Sequence, residues 1–124
     1  MRLLLDTNAF IWWRDESPRL SGRAREQIAN SDNDIAVSVT SLWEITIKRA
    51  LGKLTFLQDF EVVLAEEGFD LLPITHWHLR SLAELPLHHR DPFDRLLIAQ
   101  ALAEHIPIAT ADRRVAAYGV EVLW

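Results

Sequence analysis

The chain contains no cysteine. That absence excludes a disulfide framework, a thiolate zinc site and a cysteine nucleophile, and it is compatible with a reducing cytoplasm, the expected location. No apolar run approaches the roughly 18 residues of a membrane span. The short run Leu3, Leu4, Leu5 is broken by Asp6, so neither a membrane segment nor an export signal is expected. Glycine and proline number four and five and fall singly between periodic segments, with no Gly/Ser linker, repeat or low-complexity tract. Residues 1–124 therefore read as a single domain. Basic residues are also short. Thirteen Lys and Arg against 18 Asp and Glu leave a net charge of -5, which argues against holding nucleic acid by phosphate neutralisation alone.

Hydrophobic residues make up 49% and charged residues 25% of the chain, the balance of a folded globular protein. The charge is uneven: residues 1–53 sum to +1 and residues 54–124 to -6. Any phosphate-facing surface is expected in the first part, from Arg14, Arg19, Arg23, Arg25, Lys48, Arg49 and Lys53, although a solvated helix face explains the same charges.

Apolar periodicity predicts strands at 2–5, 34–38, 69–74, 108–110 and 120–123. Between them it predicts helices at 6–13, 21–30, 41–51, 58–67, 75–85 and 92–105, with a small one at 112–118. Pro73 places the third strand at a sheet edge. The helix from Pro92 is apolar around most of its circumference and should be buried. Strands alternating with helices at this spacing define the α/β class, a mostly parallel sheet of about four or five short strands flanked by helices.

In such sheets ligands bind beyond the strand carboxyl ends. Asp6 stands after the first strand, Glu44 one turn into the helix after the second, Asp94 in the first turn of the buried helix, and Asp112 after Thr110. Asp91 lies three residues before Asp94. Capping explains each acid singly: Ser41 to Glu44 fits a capping box, and Asp91-Pro92-Phe93-Asp94 has a cap, a proline at the first helical position and an acid at the third. Capping does not explain why carboxylates hold every such position, since Ser, Thr and Asn cap equally well. Two like charges about 4 Å apart repel by about 4 kcal/mol at an effective dielectric of 20. A cation is therefore required. All-oxygen donors suit hard divalent ions, Mg²⁺ or Mn²⁺, which also bridge carboxylate to phosphate and so admit a polyanion to an acidic protein.

The segments Leu4-Leu5-Asp6-Thr7-Asn8-Ala9-Phe10, Ser41-Leu42-Trp43-Glu44-Ile45 with Leu51-Gly52-Lys53-Leu54, His89-Arg90-Asp91-Pro92-Phe93-Asp94-Arg95, and Thr110-Ala111-Asp112 resemble the successive motifs of PIN-domain ribonucleases, specifically VapC-type toxins of toxin–antitoxin pairs. The resemblance spans essentially the whole chain. It implies a PIN-like fold and Mg²⁺- or Mn²⁺-dependent hydrolysis of RNA by an activated water. Asp6, Glu44 and Asp94 would be core metal ligands and Asp112 a fourth acid. Thr7, Asn8, Ser41 and Thr110 would orient them, and Asp91 would cap a helix beside the site. It further implies a cognate VapB-type antitoxin that blocks the crevice, and homodimerisation through apolar helices.

Other readings compete. His76 with His78, or His88 with His89, suggests a metal-free acid/base pair or a zinc site. Trp12, Trp13, Trp43 and Trp77 sit on predicted helices among apolar neighbours, which marks them as core or interface residues, with Trp43 beside the cleft; Trp124 is the fifth tryptophan. A phosphoacceptor receiver-like domain shares the size and class but needs an acidic pair after the first strand and a late lysine, neither clearly present. A non-catalytic α/β interaction module would have the same fold without the metal.

Overall fold

A computed structural model describes all 124 residues. Five strands form one parallel sheet: β1 (Arg2–Leu5), β2 (Asp34–Ser38), β3 (Asp70–Leu72), β4 (Ile108–Ala109) and β5 (Val122–Leu123), in the order β3-β2-β1-β4-β5. The α/β expectation holds, and β3 lies at an edge. It is shorter than the predicted 69–74, because Pro73 has no N–H to extend the ladder.

The helices are α1 (Thr7–Arg14), α2 (Gly22–Ala29), α3 (Val39–Ala50), α4 (Phe60–Glu67), α5 (His76–Glu84) and α6 (Pro92–Glu104), followed by a 3₁₀ segment over Arg113–Tyr118. Successive strand residues point to opposite faces, so the leucine run of β1 feeds two cores. Leu3 and Leu5, with Ile35 and Val37 of β2, pack against Ala9 and Phe10 of α1, Ala24 and Ile28 of α2, Ile45 of α3 and Val63 of α4. Leu4, with Ala36, Leu72 and Ile108, packs on the other face against Leu97, Ile98 and Ala101 of α6. Residues Leu96–Ala101 are all buried, as the apolar circumference of this helix predicts. Arg14 ties α1 to α4 through Glu67 at 2.6 Å and Glu66 at 3.2 Å.

Helix α3 corrects one expectation. It starts two residues early, at Val39, because Ser38 ends β2 and caps the helix at once, its hydroxyl accepting the Thr40 N–H at 2.9 Å. Ser41 and Glu44 consequently form no capping box; they lie inside the helix with buried side chains. Beneath that junction the buried Gln100 of α6 accepts hydrogen bonds from the hydroxyls of Ser38 and, at 3.1 Å, Thr40. Its amide nitrogen donates to the Pro73 carbonyl at 3.3 Å and lies 3.3 Å from His78 Nδ1. One amide thus joins the N-terminal turns of α3 and α5 to α6. Gln100→Leu keeps the volume but strands two buried hydroxyls, and it is expected to cost about 1–3 kcal/mol in urea unfolding; an unchanged midpoint would show that the network is dispensable.

Candidate active site at the carboxyl edge of the sheet

The chain runs outward from β1 through β2 to β3, then returns to place β4 on the other side of β1. The crevice between β1 and β4 is therefore the switch point at which such sheets bind ligands. Asp6 follows β1 directly, its backbone N–H bonded to the Ala109 carbonyl of β4 at 3.0 Å. Thr110 and Asp112 follow β4, α3 contributes Glu44, and the first turn of α6 contributes Asp94. Asp6 and Glu44 are only 8% and 6% exposed, whereas Asp94 and Asp112 are partly open to solvent.

These acids feel one another. Burial pushes the Asp6 carboxyl up to about 6, with further raising by Glu44 and Asp112; the Thr110 hydroxyl and the Ala9 N–H act against this. Burial also pushes Asp94 up to about 7, reinforced by the charges of Asp91, Asp6 and Glu44. Asp112 moves the other way, because Arg114, His89 and the Arg114 backbone N–H all favour its charged form. The structure therefore gathers Asp6, Glu44, Asp94 and Asp112 from four separate segments into one field.

Neighbouring groups orient them. Asp6 Oδ1 caps α1 by accepting the Ala9 N–H at 2.7 Å, and the Thr110 hydroxyl also bonds this carboxyl. The buried Thr7 hydroxyl donates to Glu44 Oε1 at 2.6 Å and lies 3.0 Å from Ser41 Oγ. Lys48, one turn further along α3, holds Glu44 Oε2 at 2.5 Å, and Asp91 and Asp94 add to the field that keeps it charged. Thr110 Oγ1 accepts the Asp112 N–H at 3.1 Å. Asp91 Oδ1 caps α6, accepting the Phe93 and Asp94 N–H groups at 2.9 and 3.0 Å. Asn8 does not join this set: it is exposed on the first turn of α1 and makes no side-chain hydrogen bond, because its position on the helix turns it outward.

His89 has a role the sequence did not disclose. It is 3% exposed, and its Nδ1 accepts the Asp91 N–H at 3.1 Å. In the neutral ring the proton is thereby placed on Nε2, which lies 2.8 Å from Asp112 Oδ2 and 3.2 Å from Asp94 Oδ2. One atom from each of His89, Asp94 and Asp112 lies within 4.8 Å of the others. With that proton in place the imidazole is a donor clipping two carboxylates together. Only a contact closed across 23 residues shows this, so the adjacent His88-His89 pair gave no hint of it. The paired-histidine alternatives do not assemble: His88 packs on Tyr118, His76 lies against Trp77, and His78 is buried beneath the start of α5.

Two further expectations are revised. Trp43 and Trp77 are half or more exposed and so are not core residues, whereas Trp12, Trp13 and Trp124 pack against the first core. Several of the basic residues of the first part are engaged within the protein. Arg14, Arg25, Lys48 and Arg49 are each held by an acid or a backbone carbonyl.

The donor chemistry fits a hard divalent cation: buried Asp6 and the more open Asp94 carry raised proton affinities, Glu44 and Asp112 adjoin them, and no thiolate is present. A parallel sheet with such a crevice at its switch point defines the class as an α/β domain built around an acidic site. The chain belongs to the PIN domain family, whose sequence pattern matches residues 3–121, and within it to the VapC proteins. It is 31% identical over 121 residues to ribonuclease VapC22 of Mycobacterium tuberculosis, covering 91% of this chain and 88% of that one. The fold matches VapBC2 from Rickettsia felis, solved bound to a DNA fragment from their promoter, with a TM-score of 0.68, 16% identity and coverage of 98% and 97% of the two chains. It also matches FitAcB from Neisseria gonorrhoeae, with a TM-score of 0.65, 20% identity and coverage of 97% and 95%. Membership in this family sets the receiver-like alternative aside.

Asp6 and Asp94 bind a proton more tightly in the folded than in the unfolded chain, so their effect on stability becomes less favourable as pH rises from about 4 to about 7. Asp112 has the opposite sign; its contribution is present at neutral pH and lost in acid. In chelator, Asp94→Asn is expected to gain on the order of 1–3 kcal/mol over the parent between pH 4 and pH 8. Chemical unfolding at a series of pH values tests this, and parallel curves for the two proteins would contradict it.

Proposed function

We propose that residues 1–124 act as one unit, a VapC-type endoribonuclease that hydrolyses RNA phosphodiester bonds with Mg²⁺ or Mn²⁺ in the crevice. The observation that carries this reading is the convergence of Asp6, Glu44, Asp94 and Asp112 from four segments, with two of them holding protons towards neutrality. In the proposal these four carboxylates hold the cation. Bound there, it supplies counter-charge for the phosphate and a more acidic water. Thr7 and Ser41 fix Glu44, Thr110 steadies the Asp6–Asp112 side, and Asp91 anchors the α6 turn that carries Asp94. His89 keeps Asp94 and Asp112 together from behind. No side chain serves as nucleophile, so the products carry 5′-phosphate and 3′-hydroxyl ends.

The VapC22 name says that the relative is a ribonuclease, and one solved structure of the same fold is a toxin–antitoxin complex from Klebsiella pneumoniae. By kinship the same partners are proposed here: an RNA substrate, a VapB-type antitoxin covering the crevice, and a second copy of the chain in a homodimer, all in the cytoplasm. No helix is long and apolar enough to cross a membrane.

Purified protein is expected to cleave single-stranded RNA with Mg²⁺ or Mn²⁺ and to stop in chelator. Asp6→Asn and Asp94→Asn are expected to lower kcat/KM on the order of 100-fold or more while remaining folded, since Asn keeps the cap that Asp6 makes on α1 and α6 is capped by Asp91 rather than Asp94. Cleavage that survives chelation, or unfolding of both variants, would favour a purely structural role for these acids. For the partner, growth arrest on induction should be relieved by co-expression of the adjacent open reading frame, whose product should co-purify. Normal growth at full expression of the chain alone would count against a toxin.

A further inference from the structure

The acids account for a phosphate but leave the bases beside it without a binding surface. Trp43 stands on α3 immediately before Glu44, and Phe93 on α6 immediately before Asp94. The two rings meet edge to face, with centroids 4.8 Å apart and planes at 74°, which is a favoured aromatic arrangement. They span the α3–α6 junction at the rim of the crevice, and Trp43 is still 50% exposed. The other tryptophans are engaged differently. Trp12 carries Arg19 over its ring and packs on Trp124; Trp77 carries Arg80 and lies against His76; Trp13 donates to Glu67 and packs on Phe69. Trp43 alone combines an available ring with adjacency to the acids. Lys48 adds a half-exposed cation to the same helix.

We propose that Trp43 is a stacking platform for a base of single-stranded RNA flanking the cleaved phosphate, with Phe93 bracing its ring. This rests on the ribonuclease reading above. A ring already fixed by its neighbour loses little rotamer freedom on binding, and an aromatic face takes any base. The platform therefore provides affinity and register with little base specificity. A second copy of the chain covering Trp43 is the competing explanation for its exposure.

The test uses single-stranded RNA carrying 2-aminopurine at successive positions, bound to the full chain with Asp94→Asn to prevent cleavage. Fluorescence should be quenched at one or two adjacent positions. Adding Trp43→Leu, which keeps an apolar contact on Phe93, should remove that quenching and weaken binding about tenfold, the loss of one stacked base; Trp43→Phe should restore most of both. In the otherwise unchanged protein, Trp43→Leu should raise KM about tenfold and leave kcat within about twofold. Unchanged quenching and affinity would overturn the proposal. So would a fall in kcat at constant KM, or a dimer that dissociates in sedimentation while affinity per chain is unchanged. The two readings fail separately. Absence of cleavage with positive stacking removes the ribonuclease reading and leaves an RNA-binding surface; cleavage without stacking removes the platform alone.

Discussion

The structure depends on holding several carboxylates close together in a partly water-excluded crevice, against their mutual repulsion. Asp6 and Glu44 sit there because β1 and β2 are buried parallel strands whose next residues emerge at one edge of the sheet. Asp112 reaches the same edge because β4 pairs with β1, and Asp94 because α6 packs across the opposite face. The fold sets the address of each acid. Countering groups then keep the arrangement tolerable: Lys48 at Glu44, Arg114 at Asp112, and His89 between Asp94 and Asp112. Asp6 and Asp94 have raised proton affinities, first through burial and then through the neighbouring charges.

Much of this could be read from residue order. Three leucines followed by Asp6, and Pro92-Phe93-Asp94 after Asp91, mark a strand end and a helix start through local rules, and local rules are visible in a linear chain. The same rules misplaced the start of α3. Ser41 and Glu44 satisfied a capping pattern, but Ser38 had already taken the cap, bound on its other side by Gln100, 62 residues away. The inward turn of Ser41 and Glu44 follows from that displacement and makes their contact with Thr7 possible.

What stayed hidden was formed by distant pairs. His89 became legible only when its ring met Asp112; the place of Trp43 beside the cleft follows from its neighbour Glu44, and the structure adds its half-exposed ring against Phe93. An aromatic on a helix with apolar neighbours has the expected pattern of a core residue, and Trp12 and Trp13 follow it. Trp43 differs because the buried side of α3 is occupied by Thr40, Ser41, Glu44 and Ile45. Helical geometry gave that side to the acid and left the indole at the rim.

The Gln100 amide reaches the crevice through the helices it joins. It pins the leading turn of α3 to the body of α6, and those two helices carry Glu44 and Asp94. The gauge of the crevice is thus set from inside the core, by a side chain that never meets solvent. Glu44 and Asp94 therefore ride on one mount, and the spacing of two acids at the crevice depends on an uncharged side chain beneath them.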